Sequence, residues 1–350
     1  MKGLKVFGVA VAALLGLALV LAVVGWFNLR RDDIPYETLE AKYANAESEY
    51  AALPGGLRVH FRDEGNPKGP TLVLVHGFSA SLHTWEPWVK ALGAEYRIVS
   101  LDLPGHGLTR APKGWTPSME AYRDAVEAFA RERGLTRFVL VGQSMGGNVA
   151  WEYALKHPER VTGLVLVGAS GWPETRPEYA KGSPLAGPLS NPAGRFLLRD
   201  LDSTALVRKG LKSSFENDAL VTDAMVTRYA ELGRAPGHRD AVIDLALDFH
   251  KRNHATPERL KGLAAPTLIL HGEKDLLVPV DHGRKFDVAI PDSTLIVYPA
   301  TGHILNEEQA SRSAADLDAW LKARAAKPPK RPTTAVQHDL PPSKADLMFY

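Results

Sequence analysis

The chain contains no cysteine. Disulfides, thiolate-ligated zinc and a thiol nucleophile are therefore excluded. It also lacks a dominant charge, because 42 Lys and Arg against 40 Asp and Glu leave a formal net charge of +2. A balance so close to neutral gives no basis for a nucleic-acid partner. No internal repeat is present. The 350 residues are 45% hydrophobic and 23% charged. That composition excludes a disordered chain, a collagen-like chain and a polytopic membrane protein.

The two ends depart from this average. Residues Val6 to Phe27 carry no charge, and a helix of that length covers about 33 Å, enough to cross a bilayer. Trp26 and Phe27 stand where an interfacial aromatic anchor would sit. The run therefore predicts a membrane anchor over residues 1–31, followed by a linker over 32–56. Lys2 and Lys5 against Arg30-Arg31-Asp32-Asp33 favour a cytoplasmic N-terminus with the bulk of the protein outside the cytoplasm. A cleaved signal peptide ending near Ala22, and hence a secreted protein, is the alternative. Residues 326–350 contain five prolines with four basic and two acidic side chains, and read as a disordered tail. Residues 1–31 carry +4 and the tail +2, so the remainder is mildly acidic at −4.

The interior alternates short apolar runs with amphipathic helices. Strands are expected at Leu57–Asp63, Thr71–Val75, Arg97–Leu101, Phe138–Val141, Val161–Val167, Thr267–Leu270 and Thr294–Tyr298. Helices are expected at Trp85–Leu92, Met119–Arg131, Gly147–Lys156 and Asn306–Arg324. Such alternation predicts an α/β fold, a mostly parallel sheet covered by helices on both faces. Residues 57–171 and 263–325 form this core. Residues 172–262 show no strand, and helical patterns run near Ala219–Leu232 and Asp240–Phe249. A structureless excursion of that length is improbable, so the segment reads as an inserted helical cap.

Gly142-Gln143-Ser144-Met145-Gly146 lies between an expected strand and an expected helix. In that context the serine sits on a sharp turn with its hydroxyl exposed, and the flanking glycines avoid collisions. A serine hydroxyl needs a base to become a nucleophile. His303 follows the strand ending at Tyr298, and Asp275 follows the strand ending at Leu270. The order Ser144, Asp275, His303 suits a nucleophile, acid and base, respectively. Glu273 is the rival acid. His106 and His271 read as structural, and the helical pair His250 and His254 as a surface pair of the cap. The N–H groups of Met145 and Phe78 are the expected oxyanion donors, with His76 propping the loop that holds Phe78. Trp85, Trp172, Leu276, Leu277, Ile304 and Leu305 are expected around an apolar substrate. This chemistry calls for no metal and no cofactor.

Five segments carry a resemblance to the α/β-hydrolase superfamily. They are Val75-His76-Gly77-Phe78, Asp102-Leu103-Pro104-Gly105-His106-Gly107, Val141 to Gly147, the Asp275 segment and Gly302-His303. The resemblance implies an α/β-hydrolase fold and a Ser-His-Asp serine hydrolase. Ser144 argues against the epoxide-hydrolase and dehalogenase branches, which use aspartate there. The His-Gly-Phe-Ser segment, the Ser-Met-Gly-Gly turn and the apolar N-terminus resemble membrane-anchored lipases of the monoacylglycerol type. Their substrate would be a small lipid-like ester. Carbon–carbon hydrolases of ring-cleavage products share these motifs, and a perhydrolase or acyltransferase is a related possibility. A non-catalytic anchored binding module is the alternative from another class.

Overall fold

A computed structural model describes residues 2–173, 185–248 and 254–326, and in α1 (Lys2–Leu29) it describes side chains at 7, 11 and continuously from 13. The expected tail beyond Ala326, the cap entry at 174–184 and residues 249–253, with His250, lie outside the described residues.

One sheet of eight strands organises the chain, in the order β1-β2-β4-β3-β5-β6-β7-β8. β1 (Ser48–Leu53) and β2 (Leu57–Gly65) are antiparallel to each other, and β2 is antiparallel to β4 (Arg97–Leu101). The other strands, β3 (Thr71–Val75), β5 (Phe138–Gln143), β6 (Val161–Val167), β7 (Thr267–Gly272) and β8 (Ser293–Tyr298), run parallel to their neighbours. Every residue of β5 and β7 is buried. That suits strands covered on both faces, whose apolar runs need not alternate with polar residues.

The two-residue period of a strand divides the core into two layers. Val73, Val75, Leu140, Leu164, Leu166 and Ile269 face one side. There they meet α4 (Met119–Glu132) and α5 (Met145–Lys156). Leu72, Leu74, Val139, Val141, Val165, Val167, Leu268 and Leu270 face the other. They pack on α3 (Glu86–Leu92) and on the helix near the C-terminus described below. α4 begins where Ser118 caps it, its side chain accepting from the N–H of Ala121 at 3.0 Å.

The expected strands and helices of the core fall where the pattern places them, with two refinements. The C-terminal helix is interrupted at Gln309 (φ −118°, ψ 38°). It thereby becomes a short helix over Leu305–Glu308 and a long one over Ala310–Ala325. The sheet also starts earlier than expected, since β1 lies inside the segment read as a linker. Between β6 and β7 the described residues form helices and no strand. These are α6 (Ala186–Ser190), α7 (Pro192–Leu198), α8 (Thr204–Ser214), α9 (Asp223–Leu232), α10 (His238–Leu247) and α11 (Pro257–Leu260). α12 (Val280–Ala289) follows β7, and the two C-terminal helices are α13 and α14.

The expected membrane location is corrected. Among the described residues, no helix is long and apolar enough to cross a membrane. The secreted alternative rested on the same apolar run and is withdrawn with it. Trp26, expected at a lipid interface, instead meets the cap. Its indole N–H donates to the Leu197 carbonyl at 2.7 Å, and its ring lies 5.9 Å from that of Phe196. Arg30 pairs with Asp200 at 3.0 Å, and the Arg31 N–H donates to the Asp200 carbonyl at 2.8 Å.

Residues beyond α1 act as a strap rather than a linker. Leu39 of α2 (Tyr36–Tyr43) is buried with Leu108 of the core and with Leu232 and Ala235 of the cap. Lys42 and the Tyr43 hydroxyl both reach Glu231 at 2.6 Å on the cap side. Glu40 accepts from Arg58 at 2.7 Å and Arg110 at 2.9 Å on the core side.

α13 forms a second seam. The Thr84 hydroxyl donates to Glu307 at 2.6 Å. Burial pushes the Glu307 carboxyl up from 4.5 to about 7, against the opposing pull of Thr84 and Arg228. The folded chain therefore holds this proton more tightly than the unfolded one. The contribution is fully present below pH 4.5 and is lost as pH rises through about 7. Glu307→Gln keeps an oxygen for Thr84 but cannot ionise. Thermal melts should show a Tm that rises relative to the parent above pH 7 and matches it near pH 4.5. An equal shift at both pH values would contradict the assignment.

Candidate active site

Ser144 joins β5 directly to α5, with φ 54° and ψ −117°. A non-glycine residue held there stores strain, so its surroundings must enforce the conformation. Three glycines permit the close approach that does so. A Cβ at Gly142 would overlap the Gly146 carbonyl, and one at Gly146 the carbonyls of Val75 and His76. One at Gly147 would overlap Ala169. Hydrogen bonds then fix the turn. The Ser144 N–H donates to Val167 at 2.9 Å, and its carbonyl accepts the Ser170 N–H at 3.0 Å and the Ser170 hydroxyl at 3.2 Å.

His303 and Asp275 come together in the loops after β8 and β7. His303 Nδ1 lies 2.7 Å from Asp275 Oδ2, and both side chains are buried. The second carboxylate oxygen accepts the N–H groups of Leu277 at 2.9 Å and Val278 at 2.8 Å. Burial alone would raise the Asp275 pKa. His303 and His271 nevertheless hold it well below the usual carboxylate range. His271 lies 3.4 Å from the same Oδ2 and also bonds the Val278 carbonyl at 2.8 Å. An ionised Asp275 keeps the proton of a neutral His303 on Nδ1, leaving Nε2 as the acceptor. Glu273 makes no such contact; its N–H bonds Tyr298 at 2.8 Å.

Gly168 brings the serine turn and the imidazole together. It follows Val167, the partner of Ser144, and a Cβ on it would stand 3.4 Å from both His303 Nδ1 and Asp275 Oδ2. Gln143, beside Ser144, donates to the His303 carbonyl at 3.4 Å.

Gly77 approaches Ser144 from the other side, where an added Cβ would lie 3.0 Å from the serine Cβ. Phe78 comes next, and Ser79 has φ 55°. The N–H groups of Phe78 and Met145 have no protein acceptor among the described residues. Met145 also opens α5, where the helix dipole favours negative charge. His76 props this loop. Its Nδ1 bonds the Gly77 carbonyl at 2.8 Å, and its Nε2 accepts the Leu103 N–H at 3.0 Å.

Asp102 organises the other side of that loop, a role not anticipated from sequence. It accepts the Leu82 N–H at 2.7 Å, the Leu108 N–H at 2.8 Å and His60 Nδ1 at 2.7 Å. Its motif neighbour Gly107 leaves no room for a Cβ against this carboxylate. The Asp-x-x-Gly-x-Gly pattern was the available signal. His106 is buried, and that burial pushes its pKa down to about 3, consistent with a structural role.

The expected lining residues divide. Phe78 (41%), Leu276 (58%) and Leu277 (41%) are exposed. Trp172 is half-buried, its ring 5.6 Å from Phe286. Ile304 is buried with Leu211, Phe215, Val221 and Val226 of the cap, and Leu305 is buried in the core. Trp85 needs correction: it is fully buried and packs on Trp88 at 5.3 Å. A short 3-10 turn, Leu82–Trp85, precedes α3 and rotates the indole into the layer beneath the sheet.

Comparisons with known proteins agree with this architecture. A family profile described as the alpha/beta hydrolase fold matches residues 70–310. The chain is 28% identical over 270 residues to an uncharacterized hydrolase, YugF, of Bacillus subtilis, covering 76% of this chain and 95% of that one. It is 29% identical over 266 residues to a 2-hydroxy-6-oxononadienedioate/2-hydroxy-6-oxononatrienedioate hydrolase of Comamonas testosteroni, covering 73% and 87%. Among solved structures, a membrane phospholipase A described as a bacterial virulence factor aligns with a TM-score of 0.67 and 25% identity. That alignment covers 90% of this chain and 99% of the other. A match spanning most of the chain, on a sheet of the same kind, establishes that this protein belongs to the alpha/beta hydrolase family and is a hydrolase by descent.

Proposed function

We propose that this hydrolase cleaves carboxylic esters with apolar acyl chains through a Ser-His-Asp mechanism. The observation that carries the reading is the buried 2.7 Å bond from His303 Nδ1 to Asp275, beside a serine held on a strained strand-to-helix turn. Ser144 attacks the ester carbonyl while His303 Nε2 takes its proton. The N–H groups of Met145 and Phe78 receive the developing oxyanion. His303 then protonates the departing alcohol, leaving an acyl-enzyme on Ser144. Water activated by the same imidazole releases the acid. The exposed side chains of Phe78, Leu276 and Leu277 favour an apolar acyl group, and the phospholipase A likeness supports ester cleavage.

A second reading has its own support in the Comamonas relative named as a 2-hydroxy-6-oxononadienedioate/2-hydroxy-6-oxononatrienedioate hydrolase. In that reading the same residues cleave a carbon–carbon bond in a dienoate.

Ser144→Ala should abolish p-nitrophenyl ester turnover and fluorophosphonate labelling, with an unchanged circular dichroism spectrum. Retained turnover would remove Ser144 from the mechanism. Asp275→Asn should lower kcat by about three to four orders of magnitude, by leaving His303 in the wrong tautomer; a loss below tenfold would count against the pairing. Comparing a chain-length series of esters with a ring-fission dienoate decides between the readings. A higher kcat/KM on the dienoate would favour the second.

A further inference from the structure

Glu308 ends α13, five residues after His303, and makes no salt bridge among the described residues. Its carboxylate instead collects backbone donors from two separate parts of the molecule. Oε2 accepts the N–H of Gly302, the residue before His303, at 2.7 Å. Oε1 accepts the N–H groups of Glu216 at 3.1 Å and Asn217 at 2.9 Å, which follow α8 in the cap.

The same junction is closed by direct backbone bonds. The N–H of His303 donates to the Ser214 carbonyl at 2.7 Å, and that of Ile304 to the same oxygen at 3.2 Å. There is no room to spare. A Cβ on Gly302 would lie 2.6 Å from the Ser214 carbonyl and 2.8 Å from the Glu216 nitrogen. The loop that carries the imidazole is thus clamped between its own following helix and the end of α8. Charge-assisted bonds from a carboxylate to backbone N–H groups are stronger and shorter than neutral ones. They suit a bracket that must resist movement.

We infer that Glu308 is a positioning residue for His303, coupling the seat of the cap to the placement of the base against Asp275. The inference rests on the proposed serine-hydrolase reading for its kinetic consequence, but not for its geometry. Neutralising Glu308 removes one of the two acceptor oxygens and sets an amide NH2 against backbone donors. The loop then relaxes, and the His303–Asp275 bond lengthens. A weaker bond stabilises the imidazolium less, so the acidic limb of the rate profile should move to lower pH.

The test compares the full chain with its Glu308→Gln variant by three measurements. The first is kcat and KM on a p-nitrophenyl ester across pH. The second is the far-downfield imidazole N–H proton in the NMR spectrum, assigned to His303 by its loss in Asp275→Asn. The third is the thermal melt. Displacement of a reacting group should lower kcat about ten- to a hundredfold with KM little changed. The acidic limb should shift downward, and the downfield proton should move or vanish. A lower Tm with parental kcat, limb and proton signal would make Glu308 a mere brace and overturn the inference. A fall in kcat with the proton signal and limb unmoved would overturn it as well. If the Gln variant does not fold, Glu308→Asp, which retains the charge but withdraws it by one methylene, is read in the same way. If the parent itself fails to react with a fluorophosphonate probe, the serine-hydrolase reading fails. The downfield proton still decides whether Glu308 sets the His303–Asp275 bond.

Discussion

The backbone at Ser144 is held where its own side chain disfavours it, and the rest of the site is arranged around that turn. The strain is tolerable because β3, β5 and the start of α5 approach so closely that no relaxed path fits between them. Gly142, Gly146 and Gly147 are the residues that permit the approach. Once the turn is fixed, Met145 must open α5 and Gly77 must lie against the serine. The parallel register of β3, β5 and β6 then brings the loops at their carboxyl ends to one edge of the sheet. The loop of Gly77 and Phe78 and the turn at Gly168 are therefore placed by the sheet, not by local preference.

The imidazole answers to a different constraint. Its carboxylate partner lies in a loop after β7, while its own loop follows β8 and leans on the cap. Two kinds of support meet there. Asp275 spends one oxygen on backbone N–H groups and the other on His303 and His271. Glu308 does the equivalent for the loop as a whole. Carboxylates saturated by oriented donors hold their neighbours more rigidly than apolar packing would, since each donor has a preferred direction.

What could be read from the sequence was whatever depends on short-range pattern. The central strands appear as apolar runs because they are covered on both faces, and the serine turn is marked by its glycines between a strand and a helix. The order of Ser144, Asp275 and His303 follows from strand ends. β1 escaped notice because Ser48–Leu53 is short, and only Ala51 and Leu53 are buried. The misjudged Trp85 shows the limit of adjacency. A four-residue 3-10 turn changes the direction of a side chain that neighbours the site in sequence. The apolar N-terminal run suggested lipid. Trp26 and the arginines after it in fact engage partners about 170 residues away, and no local pattern announces such partners. The bracket made by Glu308 is equally silent, since a carboxylate on a short helix looks like any solvated charge.

The strap of residues 30–43 has a consequence for how the molecule can be cut or rebuilt. Its side chains bond the cap through Glu231 and the core through Arg58 and Arg110, with Leu39 sealed between them. Trimming the chain back to the first strand, at Ser48, would thus uncover an apolar seam. It would also leave Arg58, Arg110 and Glu231 without these counterparts. In engineering terms, the catalytic unit begins at the strap and not at the first strand of the sheet.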